Sequence, residues 1–203
     1  MVWLVILLVL LIFFYFMLRR KKKPDISVLP ERFVVFDLET TGLKSDIHEI
    51  IEIGAIRVNR DSDNHDTFQT LIFPQKRIPR KITEITGISQ DMVEKDGRSL
   101  EDALLRFIDF VGDDSLVSYN AEFDMAFIRK ATNQIKPGAL KNNRVSCALK
   151  LSRRAWPGRK SYRLVDLAKD GGLSDKDTHR ALGDCNRTMI VYTVAASILQ
   201  TDI

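Results

Sequence analysis

The stretch FVVFDLETTGL (33–43) decides how this chain is read. Its first six residues, FVVFDL (33–38), form an apolar, β-rich run of the kind that makes a buried strand. Gly42 closes a turn behind it. Asp37 and Glu39 stand two apart, so in a strand both carboxylates project from one face near its end. Two like charges held that close repel unless a cation lies between them, and hard carboxylate oxygens suit magnesium or manganese. A chance pair of acids at a strand end is the plainer alternative. The turn Thr40-Thr41-Gly42 offers amides and hydroxyls suited to a sugar or phosphate oxygen.

C-terminal to that strand, EIIEIGAIRVN (49–59) alternates polar and apolar residues over part of its length. DSDNH (61–65) reads as a hairpin-type connection and TFQTLIF (67–73) as a third strand, which predicts an antiparallel meander. Leu100, Ala103, Leu104, Phe107, Ile108 and Val111 then recur at helical spacing, so 99–111 is an amphipathic helix with Ser99 as its N-cap. SLVSY (115–119) is a strand, and Asn120 caps another helix to about residue 134. RVSCA (144–148) reads as a fifth strand followed by short helices, and Thr178 as the cap of a long helix through about 199. Strands first, then strands alternating with helices, describe an α/β layered domain with a mixed sheet.

The 203 residues carry a formal charge of +4 and a pI near 9.1, but the charge is unevenly placed. Residues 1–18, MVWLVILLVLLIFFYFML, contain no charge, and RRKKK (19–23) follows them. Without those five residues the chain has 26 basic and 27 acidic side chains, so the basic pI by itself does not argue for a nucleic-acid partner. Eighteen apolar residues make about 27 Å of helix, close to a hydrocarbon core of roughly 30 Å. A cleavable signal would carry its positive charge before the apolar run and small residues after it. The order here predicts a transmembrane helix over 1–18 and a basic flank and tether over 19–31, with PDISVLP (24–30) extended. The domain over 32–203 then lies on the cytoplasmic side of a membrane, a bacterial inner membrane being the expected one. Cys147 and Cys185 are too few for a disulfide framework, which fits a reducing compartment.

Two further segments carry candidate chemistry. Asp124, in SYNAEFDMAFI (118–128), falls in the first turn or so of the helix after Asn120, where an acid also simply complements the helix dipole. In THRALGDC (178–185), His179 and Asp184 would point about 140° apart on a continuous helix. They converge only if His179 precedes the helix and Asp184 sits on its first full turn. From Met125 to Val165 there are eleven basic residues and no acidic one, with Trp156 and Tyr162 among them. Residues 24–124, in contrast, carry a net charge of −10. Basic and aromatic residues together suit a single nucleic-acid strand; a solvated helix face is the alternative.

Taken together, FDLETTGL (36–43), YNAEFDMAFI (119–128) and HRALGDC (179–185) resemble the three motifs of the DEDDh 3′–5′ exonuclease family. Within it the similarity is greatest to the branch of the proofreading, or epsilon, subunit of bacterial DNA polymerase III. The segment FPQKRIPRKITEITGIS (73–89) also looks like that family's link between its third strand and first helices. The resemblance covers roughly residues 32–200 and implies an RNase H-like fold with a five-stranded mixed sheet flanked by helices. It further implies hydrolysis at a nucleic-acid 3′ end with two divalent cations, Mg²⁺ or Mn²⁺, and release of nucleoside monophosphates. Asp37 would bridge the two ions, Glu39 and Asp184 would complete the first site, and Asp124 would hold the second. His179 would be the general base, with Thr40, Thr41, Gly42, Leu43 and Asn120 binding the terminal nucleotide.

The chain departs from the family pattern at Tyr119 and Thr86, positions where histidine is frequent. Only 19 residues follow Asp184, without the extension that holds a polymerase in the replicative subunit, which argues against a polymerase partner. DNA 3′ ends are the expected substrate. The alternatives are a 3′–5′ exoribonuclease or oligonucleotide-degrading enzyme and, behind it, a non-catalytic, membrane-tethered nucleic-acid binder.

Overall fold

A computed structural model describes residues 24–171 and 180–200 of the chain. The meander is β1 (Arg32–Thr40), β2 (Ile50–Asn59) and β3 (Asp66–Leu71). Three helices follow: α1 (Arg80–Thr86), α2 (Gln90–Asp96) and α3 (Leu100–Val111). Then come β4 (Ser115–Ser118), α4 (Ala121–Ile135), β5 (Val145–Cys147), α5 (Ala148–Ala155), α6 (Leu164–Asp170) and α7 (Ala181–Leu199). The five strands form one sheet in the order β3-β2-β1-β4-β5. The β1–β2 and β2–β3 pairs are antiparallel, whereas β1–β4 and β4–β5 are parallel. The α/β fold with a five-stranded mixed sheet is therefore as the sequence predicts.

β1 lies at the centre and is buried on both faces, and its alternation sorts its side chains between two cores. Val34, Phe36 and Leu38 face the core built with α3 and α4. Phe33 and Val35 face the other core, with Cys185, Tyr192 and Ala195 of α7 and Leu151 of α5. Asp37 and Glu39 continue that second series, so the strand's period of two aims both carboxylates to the α7 side. A register irregularity between Glu39 and Thr40 ends the regular β1–β2 pairing at that point.

α3 matches its expected span, and the Ser99 hydroxyl accepts from the Asp102 N–H at 3.1 Å. β3 stops at Leu71 instead of running to 73; the Ile72 N–H still donates to Ile51 O at 2.9 Å, and Ile72 also bridges Arg98. Asn120 holds the N-cap position of α4 without a side-chain cap; its carbonyl accepts from Phe123 and Asp124. The expected cap Thr178 lies outside the described residues, and Arg180 takes the N-cap position of α7. The 24–30 segment is turned rather than extended: Leu29 N–H donates to Ile26 O at 3.0 Å, and the Leu29 side chain is buried in the α7-side core.

The expected membrane anchor is corrected, and with it the membrane partner and the single-pass, inner-membrane placement. Among the described residues no helix is long and apolar enough to cross a membrane. The longest described helix, α7, has 19 residues, but it carries Asp184, Asn186 and Arg187 in its first two turns and packs across β1 and β2. Residues 1–18, on which that expectation rested, lie outside the described residues.

Candidate active site

Asp37 and Glu39 reach the site from the end of β1, and Asp184 reaches it from the first turn of α7. One carboxylate oxygen from each lies within 4.8 Å of the others, although 147 residues separate Asp37 from Asp184. Asp124, in the first turn of α4, lines a cavity of about 310 Å³ together with Asp37, Asp184, Tyr119 and Asn120. Three of the four expected metal-ligand carboxylates thus line one hollow, and the fourth, Glu39, clusters with Asp37 and Asp184 beside it. Such a set of hard, mutually repelling oxygens fits a divalent cation of the magnesium or manganese kind.

The seating of α7 makes this convergence possible. Asp37 pairs in register with Gly54 of β2, and a Cβ on Gly54 would stand 2.6 Å from the Ala181 backbone carbon. The first turn of α7 therefore rests on a residue without a side chain. Cys185 Sγ donates to Gly54 O at 3.3 Å just beyond it. Beside this contact, the fully buried Glu52 receives the Arg180 guanidinium, with Nε 3.1 Å from each carboxylate oxygen and Nη2 2.5 Å from Oε1. The same carboxylate accepts from the Ala181 N–H at 3.0 Å and the Gln69 amide at 2.9 Å. Glu52 thus satisfies an orphan donor at the N-terminus of α7 and anchors it to β2.

Burial and mutual repulsion set the protonation of the carboxylates. Burial, then the charges of Asp124, Glu39 and Asp184, hold Asp37 well above the usual carboxylate range. Burial and then Asp184 raise Glu39 to about 8, with Arg180 opposing. Burial raises Asp124 to about 7 against the pull of its hydrogen bonds, the first from the Ser118 hydroxyl. Asp184 is ion-paired with the buried Arg187, Nη1 to Oδ1, at 2.6 Å. Without a cation the cluster takes up protons, and a divalent ion would displace them.

The nucleotide-binding candidates are placed as follows. Thr40 and Thr41 are buried; the Thr40 hydroxyl donates to Gly42 O at 2.7 Å, and the Thr41 hydroxyl accepts from the Glu49 N–H at 2.9 Å. These hydroxyls therefore shape the turn from within. Gly42 lies under the His48 ring, with 2.3 Å between a built Cβ and the imidazole. Leu43 is 83% exposed at the tip, an apolar side chain presented to solvent. Asn120 is exposed beside the cavity. His179 lies outside the described residues; the helix bearing Asp184 begins two residues after it.

Sequence reasoning passed over Glu52, Arg180, Arg187 and Ser118. Arg180 and Arg187 sit inside or beside the third motif, and their spacing of four and three residues from Asp184 was the available signal. Glu52 had a weaker signal, an acid in an otherwise apolar strand, IIEIGAI (50–56).

Comparison with known proteins gives a consistent result. A family profile described as Exonuclease (RNase_T) matches residues 34–192. The chain is 36% identical over 166 residues to the DNA polymerase III epsilon subunit of Aquifex aeolicus, covering 82% of this chain and 81% of that one. It is 40% identical over 158 residues to the PolC-type DNA polymerase III of Clostridium perfringens, covering 78% of this chain but only 11% of that polymerase. Among solved structures, a zinc-bound complex of Escherichia coli ExoI with single-stranded DNA superposes with a TM-score of 0.70 at 20% identity. That match covers 83% of this chain and 41% of the other, and it shows a shared fold.

Proposed function

The chain belongs to the exonuclease family and is a 3′–5′ exonuclease, and from that premise we propose that it removes nucleotides from DNA 3′ ends with two divalent cations. The observation that carries the reading is the convergence of Asp37, Glu39 and Asp184 beside the hollow that holds Asp124. Asp37, Glu39 and Asp184 would hold one ion, and Asp37 with Asp124 the second. When bound, such ions make a water nucleophilic near neutral pH and stabilise the leaving oxygen. His179 takes the water's proton as general base, so activity rises with pH through about 6.5, the ordinary histidine range. Leu43 packs on the terminal base, the Thr40–Gly42 turn lies against the sugar and phosphate, and Asn120 faces the same nucleotide.

DNA is favoured over RNA by the company the chain keeps: its relatives include a DNA polymerase III epsilon subunit and a PolC-type DNA polymerase III, and the superposed ExoI structure holds single-stranded DNA. The test uses the full chain with 5′-labelled single-stranded DNA and RNA of one sequence, in Mg²⁺, in Mn²⁺ and in chelator. A ladder shortening from the 3′ end, faster on DNA and absent with chelator, is expected. Asp124→Asn should lose more than the roughly 10–100-fold that follows loss of a merely supporting residue. A faster RNA ladder would move the substrate to RNA. No ladder from the folded wild type on either substrate would leave only a nucleic-acid binder.

A further inference from the structure

A second hollow, a basic one, lies beside the site. α4, β5 and α5 enclose a groove of about 540 Å³ whose cations are Arg129, Lys150 and Arg154. Its acid, Glu122, is ion-paired with Lys150 at 2.5 Å, but both side chains are mostly exposed, so the pair is weak and open to exchange. Arg129 and Arg154 are exposed and have no carboxylate partner among the described residues. The groove thus gathers three cations of a segment, 125–165, with eleven basic residues and no acidic one. Three cations around one concavity with a single acid leave an excess of positive charge, an anion-attracting surface.

The groove is joined to the active site by shared backbone. Ala121 and Glu122, on its wall, follow directly on Asn120 of the site. The carbonyl of Tyr119, which lines the site, accepts from Cys147 Sγ at 3.4 Å and from the Leu149 N–H at 2.9 Å, where β5 passes into α5. From Asn120 to Arg129 the helix advances about 14 Å. That length corresponds to about four stacked nucleotides at roughly 3.4 Å each along a strand.

Resting on the exonuclease reading above, we propose that this groove binds the phosphodiester backbone of the substrate strand a few nucleotides from the 3′ end being removed. Arg129 and Arg154 contact phosphates, and Lys150 exchanges Glu122 for a third. Contacts of this kind read no base, so they hold any sequence and slow its escape between cuts.

The test compares the full-length wild type with Arg129→Glu/Arg154→Glu, on a 20-nucleotide single strand and on a trinucleotide too short to reach the groove. Both substituted side chains are exposed, and equal thermal melting checks the fold. The variant should raise KM for the long strand about tenfold or more, leave kcat within about twofold, and keep the wild-type KM on the trinucleotide. Its salt dependence should flatten by about 1.4 in log–log slope, the loss of two single-strand phosphate contacts. Equal losses on both lengths, or none on either, would overturn the groove. Binding of the labelled 20-mer in Ca²⁺, followed by anisotropy, probes the groove independently of catalysis. Weaker binding by the variant supports the groove and equal binding overturns it, even if the wild type cuts nothing and the exonuclease reading itself fails.

Discussion

Asp184 meets Arg187 on its own helix and two further carboxylates across the gap from β1. The guanidinium supplies fixed positive charge within an acid cluster, while Glu39 and Asp124 remain shifted upward to about 8 and about 7. The ordinary values are 4.5 and 3.8, so between these limits the folded protein holds more protons than the unfolded chain. Stability of the metal-free protein therefore falls as pH rises through that window. A divalent ion seated among the ionised groups has the opposite dependence, binding more tightly as protons leave. Melting in chelator should drop between about pH 5.5 and 8, and the increase in Tm on adding Mn²⁺ should be larger at the upper end of that range. An equal increase at both ends would remove these carboxylates from the ion's ligands.

At the scale of elements, the decisive contact is α7 on β2. Gly54→Ala places a methyl group 2.6 Å from the Ala181 carbonyl carbon, backbone that gives way only if the helix moves. Overpacking of this kind costs about 1–3 kcal/mol, and the displaced first turn carries Asp184 away from Asp37. The variant should melt lower and titrate Mn²⁺ more weakly; a change in melting without a change in Mn²⁺ affinity would separate helix seating from ligand placement. Elements whose pattern is internal were legible in the sequence: the apolar run of β1, the heptad-like stripe of α3, the cap at Ser99. α1 and α2 were not legible from periodicity, because seven residues each make too few turns for a stripe to show. Glu52 was hidden for a different reason. A strand acid usually faces water, and its partner Arg180 lies 128 residues away.

For the whole molecule, the two cores on either side of β1 hold the site's carboxylates on different supports. Asp124 rides on α4 beside the α3-side core, whereas Asp184 rides on α7, which packs in the other. The 24–30 segment belongs to that second core through Leu29, and Asp25 N–H donates to Ser197 Oγ near the end of α7 at 2.6 Å. Leu29→Ala should therefore cost about 2–5 kcal/mol. At roughly 2–4 °C per kcal/mol for a domain of this size, melting should fall by several degrees with kcat unchanged. No drop in Tm would mean that the segment adds nothing to the fold.

The distance along the chain between the clustered carboxylates also orders events in time. Glu39 is synthesised 145 residues before Asp184. At the usual pace of about 5–20 residues per second, a ribosome needs roughly 7–30 s to cover that interval. Throughout it, a nascent chain displays the first two carboxylates without the one that α7 brings. An unfinished copy beside its own messenger therefore lacks the complete carboxylate cluster, and on the proposed reading the capacity to cut arrives only when that helix has emerged and docked.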